Sequence, residues 1–340
     1  MFPPTAIFNT RIDDTSRFPA HPNSDGWINM IGRDVRFEAD WGTTDNAADV
    51  ANYFGLPINI VDGTSATTQW PVVSFDFASS GVSMERGYPH ESDCAVANGN
   101  GSGNGNAFNL ARSCNTVPVE SMRFPFPNTP RGPTVCNDPN RCGDHHLLVL
   151  DQSTCRLWES YFSYKLGNQW YTEATASWDL RSLQMRPNQW TSANAAGLPF
   201  IPLLARAGEA DAGEIRHALG VNFRDAVLTD SYVWPARHGA GSPSPGGVPF
   251  GSLLRLKSDF VIPADWTAQA RAIATAAKRY GIYVDDNGAD FHVGGEPDNR
   301  WTLSTLVQLK NITMNNMEFV NTNAITSDPR FSSDSMAGSW

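Results

Sequence analysis

The chain has 340 residues, 41% of them hydrophobic, 11% aromatic and 18% charged, enough apolar material for one large core or two modest ones and too much for disorder. Its 25 lysines and arginines against 35 aspartates and glutamates leave a net charge of −10, which argues against a nucleic-acid partner because counterion release needs a basic surface. No run approaches the roughly 20 apolar residues that span a bilayer, so no membrane partner is expected. The 28 glycines and 23 prolines suit many short strands better than long helices.

Near the N-terminus, Ser24 before DGWINMIG reads as a helix cap with Trp27, Ile28 and Ile31 inward, and TDNAADVANYFG reads as a second helix stopped at Gly55. Strand-like runs follow at 58–61, 72–77, 146–150, 157–162, 177–180, 215–219, 226–233 and 253–256. The clearest hairpin joins HHLLVLD to CRLWESYFSYK through QST. Alternation puts Asp144, His146, Leu148 and Leu150 on one face, and Leu157, Glu159 and Tyr161 on one face of the second strand. An acid and a histidine thus stand where a core-facing strand would carry apolar side chains.

In PADWTAQARAIATAAKRYG, Trp266, Ala270, Ile273, Ala277 and Tyr280 share a helix face, with Pro263 opening the helix and Gly281 closing it. GIYVDDNGADFHVGGEPDNRW reads as strand, Asp-Asn-Gly turn, strand and loop, before a helix over 300–310. The fold class expected is mainly β, an antiparallel, jelly-roll-like β-sandwich with a few flanking helices. A single domain is expected, its body over 61–335 and residues 1–60 a helical and extended cap. The Asn/Gly tract at 98–106 is low-complexity, and 239–247 is a loop excursion or an active-site rim.

Cys94 and Cys114 bracket that tract, and Cys136 and Cys142 bracket NDPNR. Two disulfides are the natural reading, because neither pair has the short spacing of a zinc knuckle on both arms. Closing the 94–114 loop removes about 3 kcal/mol of unfolded-state entropy. Cys155 is then a lone thiol, expected to be buried. Asn100 and Asn311 fit the glycosylation sequon. The disulfide reading leads to the expectation of a secreted, extracellular chain, and because the N-terminal MFPPTAIFNTRIDD has no signal-peptide pattern, its leader is expected to have been removed.

Segments 143–146 (GDHH), 155–159 (CRLWE), 178–182 (WDLRS), 190–199 (WTSANAAGLP), 215–218 (IRHA), 234–238 (WPARH) and 280–288 (YGIYVDDNG) carry a resemblance over most of the chain. Through them the sequence resembles an uncharacterised family of secreted bacterial proteins. HPNSDGW, YFGLPINIVDG and PVVSF extend the similarity more loosely toward the N-terminus. The resemblance implies secretion and proximity to carbohydrate-binding modules. The Asn/Gly insertion and CNDPNRC depart from the family pattern.

Three constellations carry candidate chemistry. His146, His217 and His238, with His145 and His292 beside them, lie next to strand-like segments and suit either acid–base work or a transition-metal cofactor. The alternative is core or loop histidines bonded to carbonyls. Among Asp144, Glu159, Asp179, Asp285, Asp286, Asp290 and Glu296, the pair Glu159 and Asp144 is the candidate for glycosidic cleavage, which needs two carboxyl groups across the scissile bond and no cofactor. Asp286 is read first as turn chemistry and then as a substrate contact. Arg181 is read as an ion-pair partner of Asp179 and, alternatively, as a substrate contact. Trp158, Trp170, Trp190, Trp234 and Trp301 lie near polar or Gly/Pro-rich sequence, and Trp158 and Trp234 are candidate platforms for a sugar face. No GxSxG, HExxH, Walker or dinucleotide motif occurs. The expectation is a polysaccharide-active hydrolase with an aromatic-lined groove. The alternatives are a His-ligated metalloenzyme of oxidative or lyase type, and a non-catalytic glycan-binding or structural protein.

Overall fold

The computed structural model describes residues 1–65, 68, 70–82, 87–97, 108–127, 129–241 and 244–340. The low-complexity tract at 98–106 and the sequon at Asn100 lie outside them, as do residues 242–243 of the loop at 239–247.

Ten strands frame the molecule: β1 (Glu38–Asp40), β2 (Ile58–Val61), β3 (Leu147–Asp151), β4 (Arg156–Tyr161), β5 (Ala174–Asp179), β6 (Leu219–Phe223), β7 (Leu253–Leu256), β8 (Ile282–Asn287), β9 (His292–Gly294) and β10 (Met317–Phe319). Six form one sheet in the order β1-β9-β6-β8-β7-β10, and four form a second in the order β5-β4-β3-β2. Three smaller sheets complete the described strands.

Pairing direction is mixed. β6 runs parallel to β8, β1 to β9 and β2 to β3, while β7 is antiparallel to β8 and β10, and β4 to β3 and β5. The architecture is therefore mixed α/β rather than an antiparallel sandwich. Alternation reveals strands but carries no pairing direction. Parallel partners need long returns, and the β6–β8 return carries a helix, Ala268–Arg279. Thr267 caps that helix by accepting from the Ala270 N–H, and Ala270, Ile273 and Ala277 are buried against the sheet. Gly281, at φ +82°, then reverses the chain into β8.

The first 60 residues contribute to the main core and to the six-stranded sheet. Phe8, Phe37 and Trp41 are fully buried in the main core, and β1 is the edge of the six-stranded sheet. The helix starting at Ser24 forms over Ser24–Ile31. The helix expected from TDNAADVANYFG does not form, because side chains there capture the backbone donors a helix needs. Thr44 Oγ1 accepts from Asn46 N and Asn46 Oδ1 from Ala48 N, both at 3.1 Å. The strand expected at 215–219 forms four residues later, as β6.

Cys94–Cys114 and Cys136–Cys142 are disulfides. Cys155 is exposed, not buried, at φ +53° in the turn between β3 and β4. Among the described residues no helix is long and apolar enough to cross a membrane.

Candidate active site

The C-terminal ends of β6 and β8 lie side by side, the place where open α/β sheets leave a crevice. Val221 pairs with Val284 but Asn222 pairs with Asp286, so Asp285 is an extra residue and β8 bulges there. In a regular strand Asp285 and Asp286 would point to opposite faces; the bulge turns both toward the same cleft. Gly220 makes room, since a Cβ on it would overlap the Asp285 carboxyl.

The hairpin of β3 and β4 forms the facing wall. Asp144 and His146 precede β3, and the Tyr161 hydroxyl at the end of β4 donates to Asp144 Oδ1 at 2.9 Å. Residues 192–204 form a third wall. The cleft has two lobes. A smaller one of about 250 Å³ is lined by Asp40, His146, Phe200, Asn222, Asp285 and His292, among others. A larger one of about 410 Å³ is lined by Tyr88, Glu91, Tyr161, Glu173, Asn194 and His238, among others. Asp144, Asp286 and Asn287 line both and so stand at their junction.

Asp286 Oδ1 accepts from Ala195 N at 3.1 Å and Asn287 N at 3.0 Å. Burial pushes this carboxyl up to about 7 despite those donors, and Asp144 pushes the same way. Asp285, 4% exposed, is raised well above the ordinary carboxyl range by burial and then by Asp286. Burial lowers His146 to about 4, which leaves a neutral imidazole at physiological pH. Burial, helped by Asp144, raises Tyr161, keeping its O–H a donor. Three buried polar atoms on cleft-lining residues have no partner: His146 Nδ1, Asn194 Nδ2 and Asn222 Oδ1. Unpaired buried polar groups are costly in a folded protein.

The catalytic pair expected from the sequence separates. Glu159 is 0% exposed, and its two oxygens accept from Phe200 N and Ile201 N at 2.9 Å each. The hairpin register sets Glu159 opposite Leu148, while Asp144 meets Tyr161 two residues further on. Glu159 anchors the wall behind Phe200 and lines neither lobe. The three histidines also go separate ways. His146 lines the smaller lobe and His238 the larger, where its Nδ1 donates to Ala195 O at 2.8 Å. His217 lies apart, its Nδ1 donating to Ala218 O and its Nε2 lying between Arg206 and Glu209. Among the described residues no group of three His, Cys, Asp or Glu side chains is placed to hold a metal ion.

The tryptophans mostly serve packing. Trp158 is 3% exposed in a second core, edge-on to Trp70 and Phe124. Trp170 stacks on Phe126, and Trp301 packs on Trp41. Trp190 lies under the Arg186 guanidinium. Trp234 donates to Ser335 O and lines a different cavity, shared with His21 and Trp27. Arg181 pairs with Asp179 at 3.0 Å and lines neither lobe. Asp290 pairs with Arg224, and Glu296 accepts from Ala207 N.

Asp40, Tyr161, Asn194 and Asn222 were not singled out by the sequence. The readable signal was polarity inside buried strands: Asn222 interrupts the apolar run LGVNF, and Tyr161 ends β4 beside Glu159. No protein-family model, curated protein or solved structure matches the chain.

Proposed function

We propose that the chain is a secreted glycoside hydrolase acting on a polysaccharide, with Asp286 as general acid and Asp144 as its partner carboxylate. The observation that carries this reading is a pair of carboxyl groups at one cleft junction in unlike surroundings. Asp286 is half-buried and pushed up to about 7, whereas Asp144 is exposed and accepts the Tyr161 hydroxyl. Two such groups set apart by environment divide acid and base roles between them. The two disulfides fit the oxidising compartment that secretion implies.

In the reaction the Asp286 proton passes to the glycosidic oxygen as the bond from that oxygen to the anomeric carbon breaks. Asp144 faces the carbon as positive charge develops and takes a proton from the water whose hydroxyl completes it. The net change divides one water across the bond, so no oxidant or cofactor is needed. His146, Asn194 and Asn222 offer their unpaired atoms to sugar hydroxyls.

Release of reducing ends from a panel of neutral, amino and acidic polysaccharides tests the proposal. The wild type is expected to cleave at least one, and Asp286→Asn to lower kcat/KM by about 10² to 10⁴-fold while circular dichroism stays unchanged. Undiminished cleavage by a folded Asp286→Asn protein overturns the assignment. Tight glycan binding in the cleft without turnover would move the chain to the binding class instead.

A further inference from the structure

We infer, resting on the hydrolase reading, that Tyr161 is a positioning residue that holds the Asp144 carboxyl at the cleft junction. Asp144 is exposed and stands in a segment outside the strands, next to Gly143 at φ +63°. A carboxylate so placed turns about its side-chain bonds unless something fixes it, and a misplaced catalytic group costs rate.

The fixing comes from residues 161–164, which grip residues 143–146 one by one. The Tyr164 hydroxyl donates to Gly143 O, and the Tyr161 hydroxyl donates to Asp144 Oδ1 at 2.9 Å. Ser163 N donates to His145 O at 2.9 Å, and His145 Nδ1 donates to Ser163 O at 2.7 Å. The His146 ring lies 5.4 Å from the Tyr161 ring.

Two backbone features let one short segment do this. Along a regular strand Tyr161 and Tyr164, three residues apart, would point to opposite faces. Phe162 has φ +50°, uncommon for a bulky side chain, and breaks that alternation, so that both hydroxyls reach the same segment. Packing holds this conformation: Phe162 is buried, with its ring 5.4 Å from that of Phe77 and 4.9 Å from that of Tyr164. The Tyr161 carbonyl is fixed as well, accepting from Thr172 Oγ1 at 2.8 Å and Glu173 N at 3.1 Å. Tyr161 is thus anchored at its backbone, and its hydroxyl, kept a donor by burial and by Asp144, has a defined reach.

The test is kcat and KM for Tyr161→Phe, alone and in an Asp144→Ala background, on the polysaccharide of the panel cleaved fastest. The substitution removes the hydroxyl and keeps the ring. Alone it is expected to lower kcat by about 10 to 10²-fold with KM little changed. Added to Asp144→Ala it is expected to cost nothing more, because a residue that acts through Asp144 has nothing to act on once that carboxyl is gone. A loss through misfolding would appear in both backgrounds. Undiminished kcat, a loss confined to KM, or an equal loss in the Asp144→Ala background overturns the inference and leaves the hydrolase reading standing. Asp144→Ala as active as wild type overturns the Asp144 assignment and the inference with it, and cleavage of no polysaccharide in the panel overturns the hydrolase reading itself.

Discussion

Glu159 and Asp286 are both carboxyl groups pushed up to about 7 by burial, and only Asp286 lines the cleft. Both hold the proton more tightly in the folded chain than in the unfolded one. The stability they contribute is full below about pH 4 and is lost as pH rises through about 7. Urea unfolding is therefore expected to show lower stability at about pH 8 than at about pH 5, with Glu159→Gln flattening that difference. Glu159→Gln should also cost about 1 to 3 kcal/mol at the lower pH, because one of the two backbone donors loses its acceptor. Its cleavage should stay far closer to wild type than that of Asp286→Asn. Glu159 was legible as an acid on an apolar face, but a buried carboxyl satisfied by backbone donors leaves the same mark in sequence as a catalytic one. Asp286 was hidden by its neighbours, since Asp-Asn-Gly is common turn chemistry.

At the scale of elements, the bulge in β8 decides which side chains reach the cleft. Period-two reading places Asp285 and Asp286 on opposite faces, and only the pairing of β8 with β6 brings them to one side. That pairing is long-range, so the local sequence does not carry it. Gly220 is the companion feature on β6, because a Cβ there collides with Asp285. Gly220→Ala is expected to destabilise the fold by about 1 to 3 kcal/mol and to reduce cleavage. Adding Asp285→Ala should restore part of the lost stability, giving a coupling measurable in a double-mutant cycle. Other elements were closely legible: β2 and β7 form where alternation set them, and the helix after Thr267 follows its apolar face. The TDNAADVANYFG helix failed for a local reason, the capture of backbone donors by Thr44 and Asn46.

At the scale of the molecule, composition indicated many strands and an oxidising compartment but not the mixed pairing. The tryptophans show why: indoles near polar sequence looked available to a ligand, yet Trp158, Trp170 and Trp301 are buried against other rings. The Cys94–Cys114 disulfide closes a long loop beside Asp93, which is fully buried and paired with Arg112 and Arg186. Replacing both cysteines by alanine should lower stability by about 3 kcal/mol, read as a shift in Tm or urea midpoint. The central claim, that Asp286 donates a proton to a glycosidic bond, is tested most directly by the pH dependence of kcat/KM. The wild type and Asp286→Asn would be compared from about pH 4 to about pH 9 on the polysaccharide cleaved fastest. The expected result is a wild-type rate that falls as pH rises through about 7, and a substituted protein that has lost both that limb and most of its activity. A wild-type profile flat through 7, with Asp286→Asn as active as wild type, would contradict the account.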